Sequence, residues 1–259
     1  MQILIPMTGY GSRFTEAGYK TLKPLIEIGS RPILQWIVKG MYPKEKDITF
    51  ICRREQFDND VHLRDKLRKI CPAARIYIID DWVKRGPVCD VLRASDIIDD
   101  DVPVIINYCD FYMSWNWEKF KNNLEERNPD GCVPCYTGFH PHLMVSGNYY
   151  ASCLTDEQDN LIEIKEKFSF EEDKTKAKHS PGVYYFKNGY YLKKYCQMLV
   201  DSGLKIKGEY YASMPYNFMV RDKLKVWIPT NVEYFCQWGT PEDMEESLYW
   251  INLMKGIGL

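Results

Sequence analysis

Residues Met1 to Ile28 read MQILIPMTGYGSRFTEAGYKTLKPLIEI, and this stretch decides the fold. The apolar run Ile3 to Pro6 is short and unbroken, as expected of a strand buried on both faces. It empties at once into Thr8-Gly9-Tyr10-Gly11-Ser12-Arg13. A Gly-rich turn after a buried strand lets backbone N–H groups approach a polyphosphate, because no Cβ stands in the way. Arg13 and Lys23 bring positive charge to the same place, and Pro24 and a second apolar run, Leu25 to Ile28, follow. Two phosphate loops are excluded. There is no Gly-Lys-Ser or Gly-Lys-Thr, so this is not a Walker A loop. Phe14 stands where a dinucleotide fingerprint needs a third Gly or Ala.

Outward from this loop the first half alternates strand and helix patterns. Strands are expected at Ile3–Pro6, Ile48–Cys52, Arg75–Ile79 and Val102–Asn107, and helices at Ile33–Met41, Val61–Ile70, Val88–Ile98 and Trp117–Glu126. This order implies an α/β fold: a Rossmann-like, mainly parallel central sheet flanked by helices. Ligands bind at the carboxyl ends of such strands, where both the Met7–Arg13 loop and Asp110 fall. After Asp110 the pattern becomes strand-rich. Gly131–Tyr136, Tyr149–Leu154, Leu161–Ile164 and Gly182–Phe186 read as strands, Asp159-Asn160 as a hairpin tip and Phe170–Lys178 as a mobile polar loop. Helices return at Tyr190–Leu199 and Tyr210–Val220, then strands at Lys225–Ile228 and Val232–Cys236. A last helix runs from Pro241 to about Met254, with Glu242, Asp243, Glu245 and Glu246 suited to its N-terminal dipole. The chain therefore reads as one domain, 1–259, with a nucleotide-binding half, 1–112, and an acceptor-binding half, 113–259.

At 259 residues the chain can bury its own core without staples. A net charge of −2 offers no basic field for nucleic acid. No apolar run is long enough to span a membrane, and a strand starting right after Met1-Gln2 leaves no room for a signal peptide, so a cytoplasmic protein is expected. Nine scattered cysteines fit reduced, packed thiols. Cys132-Val133-Pro134-Cys135 lies in a strand pattern with no second pair to complete a zinc site.

The motif Gly9, Gly11, Ser12, Arg13, Phe14, then Lys23-Pro24-Leu25, resembles that of the nucleotidylyltransferases that join an NTP to a phosphorylated metabolite. The likeness extends along most of the chain. Gly86 to Ala94 looks like the segment that meets the base and opens a helix. Val104 to Asp110 looks like the strand ending in a metal-binding Asp. Glu166-Lys167 resembles the acceptor-site Glu-Lys motif, Pro181 to Phe186 a strand lining that site, and Gly239-Thr240-Pro241-Glu242-Asp243 a late Gly-Thr-Pro motif. Phe14 and Cys236-Gln237-Trp238-Gly239-Thr240-Pro241 look most like a branch found with capsule and surface-polysaccharide synthesis, and within it like cytidylyltransferases.

The resemblance implies a reaction and a site. An acceptor phosphate oxygen attacks the NTP α-phosphorus and pyrophosphate leaves, which requires charge neutralisation and alignment rather than a protein nucleophile. Arg13 would clamp the β- and γ-phosphates, Lys23 would reach the α-phosphate, Asp110 would hold Mg²⁺ (or Mn²⁺), and Lys167 would contact the acceptor phosphate. Met7, Thr8, Gly9, Tyr10, Gly11, Ser12 and Gly86 would line the nucleotide, and His140, Glu166, Gly182 and Glu209 the acceptor. His140-Pro141-His142 has no further ligand at metal spacing. One departure stands out: where the family places a second metal-binding Asp, this chain has Gln237, for which Glu233 or Asp243 are the candidate substitutes. The expected partners are an NTP, with CTP favoured, and a small phosphorylated acceptor such as glutamine phosphate. The alternatives are a sugar-1-phosphate nucleotidylyltransferase, a nucleotide-sugar-dependent glycosyltransferase, a non-catalytic nucleotide-binding protein and a dinucleotide oxidoreductase. Asp110-Phe111-Tyr112 lacks the Asp-x-Asp common in such glycosyltransferases.

Overall fold

The computed structural model describes residues 1–256. In chain order the strands are β1 (Gln2–Pro6), β2 (Glu27–Ile28), β3 (Arg31–Pro32), β4 (Ile48–Arg53), β5 (Arg75–Ile79), β6 (Val104–Asn107), β7 (Phe111–Ser114), β8 (Gly131–Cys132), β9 (Ser152–Thr155), β10 (Leu161–Lys165), β11 (Lys178–His179), β12 (Val183–Phe186), β13 (Val226–Trp227) and β14 (Tyr234–Gln237). The helices are α1 (Ser12–Glu16), α2 (Ile33–Trp36), α3 (Arg54–Asn59), α4 (Leu63–Ile70), α5 (Pro87–Arg93), α6 (Trp117–Arg127), α7 (Gly189–Ser202), α8 (Pro215–Arg221) and α9 (Pro241–Gly256).

A seven-stranded sheet in the order β13-β8-β12-β6-β1-β4-β5 forms the centre. Strands β6, β1, β4 and β5 are parallel, and β12 is antiparallel to both β6 and β8. This is the mixed, mainly parallel α/β architecture expected. Side chains alternate across β1: Ile3 and Ile5 pack into the core that holds Ile33, Leu67 and Phe120, while Leu4 packs on the other face with Val88, Leu192 and Tyr216. Both faces are covered, which is why the strand is apolar throughout. Smaller antiparallel sheets, β10-β9-β11 and β14-β7, lie beside this frame.

Four departures from the expected elements have identifiable causes. The Ile33–Met41 pattern is α2 followed by a π-turn at Ile37–Met41. Gly40 admits the Tyr112 ring, and the Trp115 indole donates to the Met41 carbonyl at 2.8 Å. The Tyr210–Val220 helix begins only at Pro215, because Tyr210 spends its backbone groups on Arg85 and Val88 and Ala212 N–H donates to the Tyr108 hydroxyl. The Val88–Ile98 helix stops at Arg93 and continues as a 3₁₀ turn, Ser95–Ile97. Finally, α3 follows β4 without a loop, and Gln56 accepts from Arg53 N–H at 3.0 Å to cap its start.

Cys132 and Cys135 are fully buried, and burial pushes both thiols well up. Among the described residues no helix is long and apolar enough to cross a membrane.

Candidate active site

The carboxyl ends of β1 and β6 open onto a cavity of about 540 Å³. The loop after β1 forms one wall, with Gly11 at φ +63 turning the chain into α1. Met7, Thr8, Gly9, Tyr10, Gly11, Ser12, Arg13, Lys23 and Gly86 all line it. Arg13 has no ion pair among the described residues and faces the cavity. Lys23 pairs with Asp110, Nζ to Oδ2, at 2.8 Å, which ties the β1 loop to the end of β6.

A second cavity of about 490 Å³ adjoins the first. It is lined by Glu166 and Lys167 at the end of β10, by Gly182 before β12, and by Gln237, Gly239, Thr240 and Asp243 after β14. Arg13, Tyr108, Asp110, Lys167, Tyr211 and Gly239 line both cavities. The boundary between them therefore carries two cations and a carboxylate. Gly182, at φ +116, lets the backbone pass close to Phe111 and Tyr108. Lys167 Nζ donates to the Tyr211 hydroxyl at 3.0 Å. Burial pushes the Glu166 carboxyl up to about 7, opposed by a 2.5 Å hydrogen bond from the Ser213 hydroxyl.

Two expected acceptor residues sit elsewhere. His140 is buried against Tyr136, Tyr234 and Phe235 and does not line the second cavity. His142 lines it instead, held by the Tyr136 hydroxyl at 2.8 Å and driven down to about 3 by burial, so its ring is neutral. The short 3₁₀ turn Pro141–Met144 reverses which of the two faces inward. Glu209 lines the first cavity, where it pairs with Lys84 at 2.9 Å.

The two candidate substitutes for a second acid are placed differently, and only Asp243 lines the second cavity. Glu233 accepts from Ser114 at the far end of the β7–β14 ladder. Asp243 Oδ2 accepts from Thr240 N–H at 3.0 Å and from the Thr240 hydroxyl, capping α9, and also from Gln237 Nε2. Gln237 Oε1, in contrast, is buried with no partner. Among the described residues no group of three or more His, Cys, Asp or Glu side chains could hold a metal ion. Mg²⁺ does not need one: it binds through one or two protein oxygens plus substrate phosphates. The carboxylates of Asp110 and Asp243 both come within 3.9 Å of where a Cβ on Gly239 would stand, and Asp110, which lines both cavities, is a fitting hard-oxygen ligand for that ion.

Sequence reasoning missed a second group lining the first cavity. Thr8 Oγ1 donates to Asp90 Oδ2 at 2.5 Å, and Trp82 Nε1 donates to Asp90 Oδ1 at 2.7 Å. Burial raises the Asp90 carboxyl to about 6. In the sequence Asp90 is one acid in the first turn of a helix, where acids are common for dipole reasons.

No family model matches the chain, and no curated protein matches it in sequence. Solved structures do match over nearly the whole length. A nucleoside-diphosphate-sugar pyrophosphorylase from Vibrio cholerae RC9 aligns over 96% of this chain and 100% of its own, with a TM-score of 0.76 and 18% identity. A UDP-glucose pyrophosphorylase complexed with UDP-glucose aligns over 97% and 98%, with a TM-score of 0.72 and 14% identity. HddC from Yersinia pseudotuberculosis aligns over 96% and 99%, with a TM-score of 0.64 and 15% identity. The chain thus has the fold of these structures.

Proposed function

We propose that the protein is a nucleotidylyltransferase that joins an NTP to a small phosphorylated acceptor and releases pyrophosphate. The observation that carries this reading is the shared wall of the two cavities. A nucleotide in one and a phosphorylated acceptor in the other meet at Arg13, Asp110 and Lys167. The fold shared with nucleotide-sugar pyrophosphorylases supports it.

In this mechanism the Gly9–Gly11 backbone and Arg13 hold the leaving β- and γ-phosphates. Lys23 leaves its pairing with Asp110 to follow charge on the α-phosphate, and Lys167 draws the acceptor phosphate into line. The acceptor oxygen forms the new bond to the α-phosphorus as the bond to the bridging oxygen breaks and pyrophosphate carries the charge away. Asp110, with the Asp243 carboxylate beside it, would hold Mg²⁺ or Mn²⁺, which supplies Lewis-acid neutralisation of the phosphates when bound. The neutral His142, Glu166 and the Tyr108, Tyr150 and Tyr184 rings shape a polar aromatic acceptor pocket.

For the substrates, we favour CTP and an amidic amino-acid phosphate such as glutamine phosphate, on the resemblance to capsule-associated cytidylyltransferases. A sugar 1-phosphate is the second reading, favoured by the sugar-nucleotide activities that the structural neighbours' names carry. The test is pyrophosphate release with Mg²⁺ and each of five NTPs against sugar phosphates, phosphocholine and phosphorylated amino acids. Acceptor-dependent release with one NTP is expected. NTP binding with no release across a broad panel would favour a non-catalytic nucleotide-binding protein.

A further inference from the structure

The nucleotide cavity has two chemically different ends. One is cationic, with Arg13 and Lys23 beside the glycine turn. The other is closed by Thr8, Trp82, Pro87 and Asp90. Triphosphate goes to the first end by charge, and the Asp90 carboxylate repels it from the second. What remains of an NTP to face Asp90 is the base.

Asp90 is fixed there. It is 4% exposed, and each carboxylate oxygen accepts one hydrogen bond, from Thr8 and from Trp82. An ionised carboxylate has about four acceptor sites, so each oxygen keeps one to offer. Trp82 is itself held edge-on to Tyr10, and the Arg53 guanidinium lies over both rings, 4.3 Å from the centre of Tyr10 and 5.2 Å from that of Trp82. The side-chain donors that touch Asp90 are already committed. The Thr8 hydroxyl and the Trp82 N–H both point at Asp90, and Lys84 is paired with Glu209. Uracil and thymine offer a carboxylate one N–H, at N3, flanked by two carbonyl oxygens that it repels, whereas an exocyclic amine donates to it without that opposition.

We propose that Asp90 is the base-selecting residue of this site and that it takes a nucleobase presenting an amino group, whose N–H it accepts. The inference rests on the nucleotidylyltransferase reading and deepens it. Because burial brings the Asp90 carboxyl to about 6 and not higher, it remains mainly ionised above neutral pH and keeps its acceptor character.

Asp90→Asn inverts the chemistry in place. The Trp82 N–H can only donate, so the Asn carbonyl must turn to it. The amide NH₂ then takes the Thr8 side, where the hydroxyl rotates to accept. The site now presents a donor where it presented an acceptor.

The experiment is calorimetric binding of CTP, ATP, GTP, UTP and dTTP to the wild-type protein and to Asp90→Asn, with circular dichroism to check the fold. The wild type should bind at least one amino-bearing NTP about tenfold or more tightly than UTP, and that ratio should fall about tenfold or more in Asp90→Asn. The CTP, ATP and GTP arms identify which amino base is taken. Two results overturn the proposal: a wild type that binds UTP or dTTP as tightly as every amino-bearing NTP, or a folded Asp90→Asn that keeps the wild-type ratio. If Asp90→Asn does not fold, the wild-type ranking alone decides. Binding without base preference refutes the role of Asp90 only; no binding of any NTP refutes the nucleotidylyltransferase reading as well.

Discussion

Gly86→Ala is the substitution whose cost can be worked most directly from the geometry. Gly86 precedes α5 at φ +96 and ψ 166, a region open essentially to glycine alone. A Cβ there would lie 2.6 Å from both the backbone N and O of Tyr210, and 3.0 Å from Glu209 Cβ. Backbone atoms cannot step aside as a side-chain tip can. The same Tyr210 backbone accepts from Val88 N–H at 3.3 Å and donates to the Arg85 carbonyl at 2.9 Å, so the two segments must separate to admit a methyl. Backbone strain of about 1–3 kcal/mol and overpacking of about 1–3 kcal/mol together give a loss of roughly 2–6 kcal/mol. For a domain of this size that corresponds to a fall in Tm of roughly 4–24 °C. Because Gly86, Glu209 and Tyr211 all line the nucleotide cavity, the KM for NTP should rise as well. Urea unfolding reads the stability term, provided the m-value is unchanged. Gly9→Ala is the control: nothing lies within 4 Å of its Cβ, so stability should hold while NTP affinity falls. A Gly86→Ala midpoint indistinguishable from wild type would refute the argument that close backbone approach to Tyr210 requires this glycine.

Asp110→Ala should abolish turnover in a protein that remains folded, as seen by circular dichroism and NTP-dependent melting; full activity would remove Asp110 from the metal role. Arg13→Ala should lower kcat/KM for NTP by about 10²–10³-fold, the effect of removing one charge-stabilising donor at a developing oxyanion; an unchanged kcat/KM would take Arg13 out of the site. Glu166 makes a pH-dependent prediction. Its carboxyl is raised from 4.5 to about 7 in the fold, so the folded state holds its proton more tightly. Its contribution to stability is present below pH 4.5 and is lost as pH rises through about 7. Glu166→Gln should therefore melt close to wild type at pH 5 and gain on it by pH 8, by an amount on the order of 2–3 kcal/mol. The same difference at both pH values would contradict the assignment.

The sheet and the Gly9–Arg13 wall of the first cavity were legible because their signals are local. Ile3–Pro6 followed by Gly9, Gly11 and Arg13 places strand, turn and charge within one segment, and the apolar run ending at Asp110 places a second strand end beside it. What stayed hidden depends on distant pairing. Asp90 acquires its character from Thr8, 82 residues away in the chain, and from Trp82. Gln237 could be seen to lack a carboxylate, but that Asp243 is committed to Thr240 needed the fold. His140 and His142 are two residues apart, and only the 3₁₀ turn between them decides which one enters the cavity. The late start of α8 follows from Pro215 and from Tyr210's pairing with Arg85, a contact that local helical periodicity does not encode.

The central claim is that the α-phosphoryl group of an NTP crosses from one cavity to the other at Arg13, Asp110 and Lys167. Parallel reactions with α-labelled and γ-labelled NTP, in the presence of Mg²⁺ and the acceptor that elicits pyrophosphate release, test it directly. The account predicts that the α-label appears in the acceptor product and the γ-label in pyrophosphate, one for one. Transfer of the γ-label to the acceptor, or release of neither label from bound NTP with any phosphorylated acceptor, would contradict it.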